Sequence, residues 1–327
     1  MWGMPNKLPF RSTTAPTTAK VSALAAVSAV AAAIAIASGV GTITEASTKP
    51  IAATVTKPAT KATTDGTTVR YAGLSVRVPA AGEGVSAAAQ STSGELSLTV
   101  SRELTGKVVI TTDAHAEGTA QAMTATATRA AAAQTCTDGG YALSGWKDAG
   151  FRWYYNPAGA PAAVRSSAGS AITNATVALT RACGQKQIGL NPTFAGQTGT
   201  APQIGAAGNC TGNDRKNVIG FRAGSGRWLG MTCTYFRTVS GKKIVTGTDT
   251  ALNTQYAFFT STARCSNAYD LTSVVLHERG HSLGLNHVNQ GAHASAVMTP
   301  ALAPCSIGKR TLGLGDYRGL VALYGTR

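Results

Sequence analysis

The stretch HERGHSLGLNH, His277–His287, holds most of the imidazole chemistry available to this chain. Of five histidines in 327 residues, four fall between His277 and His293. His277 and His281 are four positions apart, so on a helix their rings project from one face, one turn above the other. That spacing lets two imidazoles ligate one metal ion. Glu278 follows the first of them and can reach a metal-held water without joining the ligand set. Gly284 stands three residues after His281, where a chain leaving a helix often needs the left-handed conformation that glycine accepts without penalty. A sharp turn there would return His287 as a third ligand. Three protein ligands with a fourth position open to water describe a catalytic zinc site rather than a structural one.

The chemistry this implies is amide hydrolysis. Zinc would lower the pKa of its water from about 15.7 to about 7 and polarise a substrate carbonyl. Glu278 would take the water proton and later return it to the leaving amine. Composition sharpens the assignment: from Cys136 onward there are seven acids against eighteen Lys and Arg, and Glu278 is the only glutamate. A chance H-E-x-x-H-x-x-G-x-x-H arises on the order of a few times per million chains of this composition.

This eleven-residue pattern is the signature of the metzincin zinc proteases, and the chain resembles them. Within that group it is similar to the matrixins. HERGHSLGLNH resembles their zinc helix, SAVMTP (Ser295–Pro300) their Met-turn, and LGLGDYRGLVALYG (Leu312–Gly325) their closing helix. The resemblance covers about 270–325 and extends more weakly back to Trp146. It implies an α+β domain with a twisted, mixed five-stranded sheet and about three helices. It implies one catalytic zinc on His277, His281 and His287, with Glu278 as general base and Gly284 at the turn. Met298 would lie beneath the metal, with Pro300 following as part of its support. Leu229 and Gly230, in GRWLGMTCTYF, would sit on a sheet-edge strand to which a peptide substrate adds as a further strand.

Several positions depart from the matrixin pattern. Arg279 stands where an apolar residue is usual, so the helix is expected to meet something polar there. Val288 replaces a serine and Thr299 a tyrosine, which alters the wall of the specificity pocket. Only His115 and His293 remain for a second zinc site, which is therefore not expected, and the cysteine-switch motif has no match. Calcium is not assigned, because Asp249 and Asp270 are isolated in sequence. Asp249 is expected at a strand edge and Asp270 at a helix N-cap. His293 is expected in a surface loop, either solvated or lining the cleft.

The elements that must position this site follow from the rest of the chain. Residues 1–20 are basic and Val21–Thr44 carry no charge, so 1–46 reads as a signal peptide or an N-terminal membrane anchor. Either places the remainder outside the cytoplasm. Residues 47–68 are a Thr/Lys/Ala/Pro spacer. Residues 69–135 form a propeptide-like or accessory region, with strands at YAGLSVRVP, ELSLTVSREL and GKVVITT and a helix near 114–133. Residues 136–327 form the protease domain. Within it GFRWYYN, NVIGFRAG, WLGMTCTYF and KKIVTGTDTAL read as strands, and Val164, Ala168, Ile172 and Leu179 mark one face of a helix. Asp270 and Asp316 are placed to cap two further helices.

Six cysteines without a C-x-x-C pair predict three disulfides in a secreted chain, with fifteen pairings open. Lys and Arg exceed Asp and Glu by 29 − 14 = 15, but the positive residues are scattered. Nucleic acid is therefore not an expected partner, while association with an anionic cell envelope stays open. The expected protein is a secreted, monomeric zinc endopeptidase acting on proteins or peptides. The rival readings are an envelope-binding protein with a relic metal site, and a hydrolase of cell-wall peptides.

Overall fold

A computed structural model describes residues 66–94, 96–112, 135–261 and 265–327. The expected signal or anchor, most of the spacer, and the helix expected over 114–133 with His115 lie outside the described residues. The framework is a nine-stranded sheet. Its strands are β1 (Glu83–Ser91), β2 (Leu96–Arg102), β3 (Val108–Thr112), β4 (Trp146–Lys147), β5 (Arg152–Asn156), β6 (Thr193–Gln197), β7 (Asn217–Arg222), β8 (Trp228–Val239) and β9 (Lys242–Asn253). Their order is β3-β2-β1-β8-β9-β7-β5-β6, with β4 pairing β9 off this path. Among the described residues three helices accompany it: α1 (Ala168–Ala178), α2 (Leu271–Ser282) and α3 (Leu314–Tyr324).

Strands β5 to β9 form a five-stranded unit in the order β6-β5-β7-β9-β8. The pairs β6–β5, β5–β7 and β7–β9 are parallel, and β8 runs antiparallel to β9. This unit matches the mixed five-stranded sheet that the resemblance implied, but here it is part of a nine-stranded one. Parallel strands need crossover connections, and α1 lies in the one between β5 and β6. It buries Ala168, Ala171, Ile172, Ala175 and Thr176, on the apolar stripe legible in the sequence. Phe151, Trp153, Ile172, Leu179, Ile219, Leu271, Val275 and Leu320 belong to the core that joins this part of the sheet to the helices.

The N-terminal region departs from expectation. Three strands were predicted over 69–112; the structure has five, adding Glu83–Ser91 and splitting the first into Thr68–Tyr71 and Leu74–Arg77. Nor does the region stand apart from the sheet. β1 runs antiparallel along β8, from Glu83 opposite Arg237 to Ser91 opposite Trp228, and on its other side pairs with β2. The strand expected to be a sheet edge, carrying Leu229 and Gly230, is thus an inner strand. β1 escaped sequence reading because EGVSAAAQS has no contrast of period two: alanine at 87, 88 and 89 marks neither face. What makes it a strand is backbone pairing on both sides, with side chains small enough to bury at eight of nine positions.

Leu74, Val76, Val85, Ala87, Ala89, Leu98 and Val100 form a second core with Trp228, Met231 and Cys233 of β8. The six cysteines pair as Cys136–Cys183, Cys210–Cys233 and Cys265–Cys305. The last pair closes 40 residues around α2 and the site, a restriction of the unfolded chain worth on the order of 4 kcal/mol.

Because β1 and β2 share a sheet and a core with β8, the described residues should unfold together. Leu98 is fully buried, and Leu98→Ala should cost about 3 kcal/mol. In urea, one transition is expected by both tryptophan fluorescence and circular dichroism, shifted as a whole by the substitution. Two transitions, with only one shifted, would show that residues 66–112 fold separately.

Candidate metal centre

α2 carries the first two imidazoles. Asp270 caps its N-terminus as predicted, accepting from Ser273 N at 2.9 Å and Ser273 Oγ at 2.7 Å. Arg310 Nε donates to the same carboxylate at 3.0 Å. Every residue from Ser273 to Ser282 is buried, so α2 is enclosed on all sides rather than amphipathic. The helix ends at Gly284, whose φ of +95° is left-handed and whose added Cβ would stand 2.3 Å from Trp146 O. Both features require glycine at the turn.

The turn brings His287 to the other two. The three Nε2 atoms lie 3.0 Å (His277–His287), 3.1 Å (His277–His281) and 3.1 Å (His281–His287) apart. Nitrogens at two corners of a tetrahedron with bonds of about 2.0–2.1 Å are roughly 3.3 Å apart, close to what is found. His277 Nδ1 is 2.8 Å from Val297 O and His281 Nδ1 is 3.2 Å from Leu285 O. A carbonyl can only accept, so both Nδ1 atoms carry the proton and both Nε2 atoms present lone pairs to the centre. Burial, then the neighbouring imidazoles, push the pKa values of His277 and His281 well below the usual range. Buried neutral imidazoles aimed at one point fit a divalent metal such as zinc. Among the described residues no second group of three His, Cys, Asp or Glu side chains converges in this way.

Glu278 stays out of that group. Its Oε2 accepts from Thr232 Oγ1 at 2.7 Å and its Oε1 from Gln90 N at 3.0 Å. Burial raises its pKa to about 8 against the pull of these two donors. β8 approaches α2 closely here. A Cβ on Gly230 would lie 2.7 Å from Glu278 Cγ and 2.8 Å from Val274 Cγ1. The sequence singled out Gly230 as part of an edge for substrate; its visible role is to admit the glutamate.

Met298 lies against α2 from the far side. A Cβ on Gly280 would sit 2.3 Å from Met298 Sδ, so the glycine between Arg279 and His281 creates the seat for the methionine. A glycine inside a helix is costly enough to have flagged this position in the sequence. Met298 O accepts from Val288 N at 3.0 Å, tying the turn to the residue after His287. Pro300 O accepts from Ser91 N at 3.1 Å. Asp316, expected only as a cap, also holds the Met-turn. Its carboxylate accepts from Val297 N (2.8 Å), Met298 N (3.3 Å) and Gly313 N (3.2 Å).

Other expectations need correction. Asp249 is not at a strand edge but buried within β9, accepting from Gln203 N at 2.8 Å and Val218 N at 3.0 Å. Burial lifts its pKa to about 7. Arg279 is fully buried, with its guanidinium carbon 5.1 Å from the Phe151 ring centre and 4.9 Å from that of Trp153. Its neighbours are chiefly aromatic faces, with Asp249 attracting it through space. His293 is neither freely solvated nor part of the imidazole cluster: half-buried, it pairs with Asp138 Oδ1 at 2.9 Å.

Residues 225–325 match the Matrixin peptidase family. That segment contains β8, β9, α2, α3, the three imidazoles, Glu278 and Met298, and it is matrixin-like in sequence. The family is one of metalloproteases and implies zinc. No curated protein matches the chain.

Asp316→Ala would leave three backbone N–H groups around the Met-turn without their acceptor. It is expected to lower stability by about 3 kcal/mol in urea unfolding. Because Val297 orients His277, zinc affinity should also fall at least about tenfold, measured by competition with a chromogenic chelator.

Proposed function

We propose that this protein is a secreted zinc-dependent endopeptidase in which Glu278 activates the attacking water. The observation that carries this reading is the convergence of three Nε2 lone pairs, two of them fixed by Nδ1–H bonds to carbonyls, one residue from a buried glutamate. The family match over residues 225–325 supports the same reaction class. His277, His281 and His287 would hold the ion, and zinc there would supply Lewis acidity to a water and to the scissile carbonyl.

The remaining chemistry belongs to the chain. Glu278, kept apart from the imidazoles, accepts a proton from the attacking water and returns it to the leaving amine. Thr232 Oγ1 and the Gln90 amide hold its two carboxylate oxygens, Oε2 and Oε1, in place. Three disulfides favour an oxidising compartment, and no helix among the described residues is long and apolar enough to cross a membrane.

The test compares the zinc-loaded full chain with its Glu278→Ala variant in casein digestion followed over hours at micromolar enzyme. Hydrolysis should fall by about 10²–10⁴-fold in the variant while one zinc per chain is retained. A chelator should abolish the parent's activity, and added zinc should restore it. Equal hydrolysis by parent and variant would remove Glu278 from the mechanism.

A further inference from the structure

A groove of about 230 Å³ opens beside the metal centre, and His281 lines it. Its floor is one face of the sheet. Thr111, Thr99, Ser86 and Thr234 stand directly opposite one another across β3, β2, β1 and β8, which places four hydroxyls in a row. Within that row Thr99 Oγ1 donates to Ser86 Oγ at 2.9 Å. Alternation along the strands sends Val85, Ala87, Leu98 and Val100 to the opposite face, into the second core. Beyond Thr234 the groove is walled by Trp146, Lys243 and Asn286. Trp146 Nε1 donates to His281 O at 3.4 Å, which ties this wall to α2.

Among the described residues along the groove, Lys243 is the only one with a formal charge. Its Nζ lies 5.2 Å from the centre of the Phe236 ring, which in turn stacks on Trp146 at 5.1 Å. The lysine is half-buried, and no carboxylate among the described residues pairs with it. Burial pushes its pKa below the usual lysine range. Water solvates such an ammonium incompletely, and an anion brought into the groove would make good the loss. The hydroxyl row adds donors, and no acid in the lining competes for the lysine. This chemistry favours a carboxylate over a cation or an apolar side chain. His281 belongs to the groove and to the metal centre alike, so a residue that fills the groove lies close to the scissile bond.

We infer that this groove is a specificity subsite for an acidic side chain of the substrate, with Lys243 as the residue that selects it. The inference rests on the peptidase reading and narrows its substrate class to peptides with Asp or Glu near the bond that is cut. The excess of Lys and Arg over Asp and Glu in the whole chain would draw the same acidic segments toward the protein.

The test uses the zinc-loaded full chain and its Lys243→Gln and Lys243→Glu variants. Each digests one library of peptides with amidated C-termini, and mass spectrometry reads the bonds that are cut. Amidation leaves side chains as the only carboxylates of the uncut peptides. At one fixed position beside the cut, the parent should favour Asp and Glu over Asn and Gln by at least about tenfold. Lys243→Gln should abolish that preference, and Lys243→Glu should turn it toward Lys and Arg. A merely structural role for Lys243 would slow every peptide alike and could not reverse the preference. Unchanged preferences, or an equal loss on every peptide, would overturn the inference and leave the peptidase assignment standing. A zinc-loaded parent that cuts none of the peptides would overturn both.

Discussion

Three imidazole nitrogens about 3 Å apart, two of them left without a proton because their rings donate through Nδ1, are the constraint around which this molecule is built. Neutral rings with their lone pairs facing one another repel unless a cation sits among them, and burial denies them the alternative of protonation. The structure holds two of the three rings from outside. Val297 O and Leu285 O fix the outward protons of His277 and His281, and those carbonyls are set by the Met-turn and by the chain beyond Gly284. The geometry belongs to a packed assembly, not to α2 alone.

That assembly depends on close approaches that only glycine permits. Gly230 lets β8 reach Glu278, Gly280 seats Met298, and Gly284 turns the chain toward His287 over Trp146. Asp316 then joins α3 to the Met-turn through three backbone donors. Burial of its carboxyl raises its pKa to about 6, so near neutral pH it is a charge held by directed hydrogen bonds. The same economy of space explains Arg279: between Phe151 and Trp153 it provides a flat, weakly hydrated cation that packs against aromatic faces.

Much of the site was legible in the sequence because its logic is local. Spacings of four and six histidine-to-histidine positions, a glycine at the turn and an aspartate before the helix each encode a conformation within one or two turns of chain. Four of the five sheet strands from Arg152 to Asn253 were readable through β-branched and aromatic runs between glycine-rich turns; Thr193–Gln197, with a glycine inside it, was not. What was not legible depends on partners distant in sequence. β1 is a strand only because β8 and β2 flank it, and an alanine-rich segment carries no pattern to announce that. Thr232 and Gln90 hold Glu278 across 46 and 188 residues. Asp249 looked isolated because its donors, Gln203 and Val218, lie on other segments.

Zinc K-edge absorption on the zinc-loaded full chain addresses the convergence of His277, His281 and His287 most directly. The geometry predicts one zinc per chain with three imidazole nitrogens at about 2.0–2.1 Å, and loss of one imidazole in His287→Ala. A sulfur ligand at about 2.3 Å, or a spectrum unchanged by His287→Ala, would contradict it.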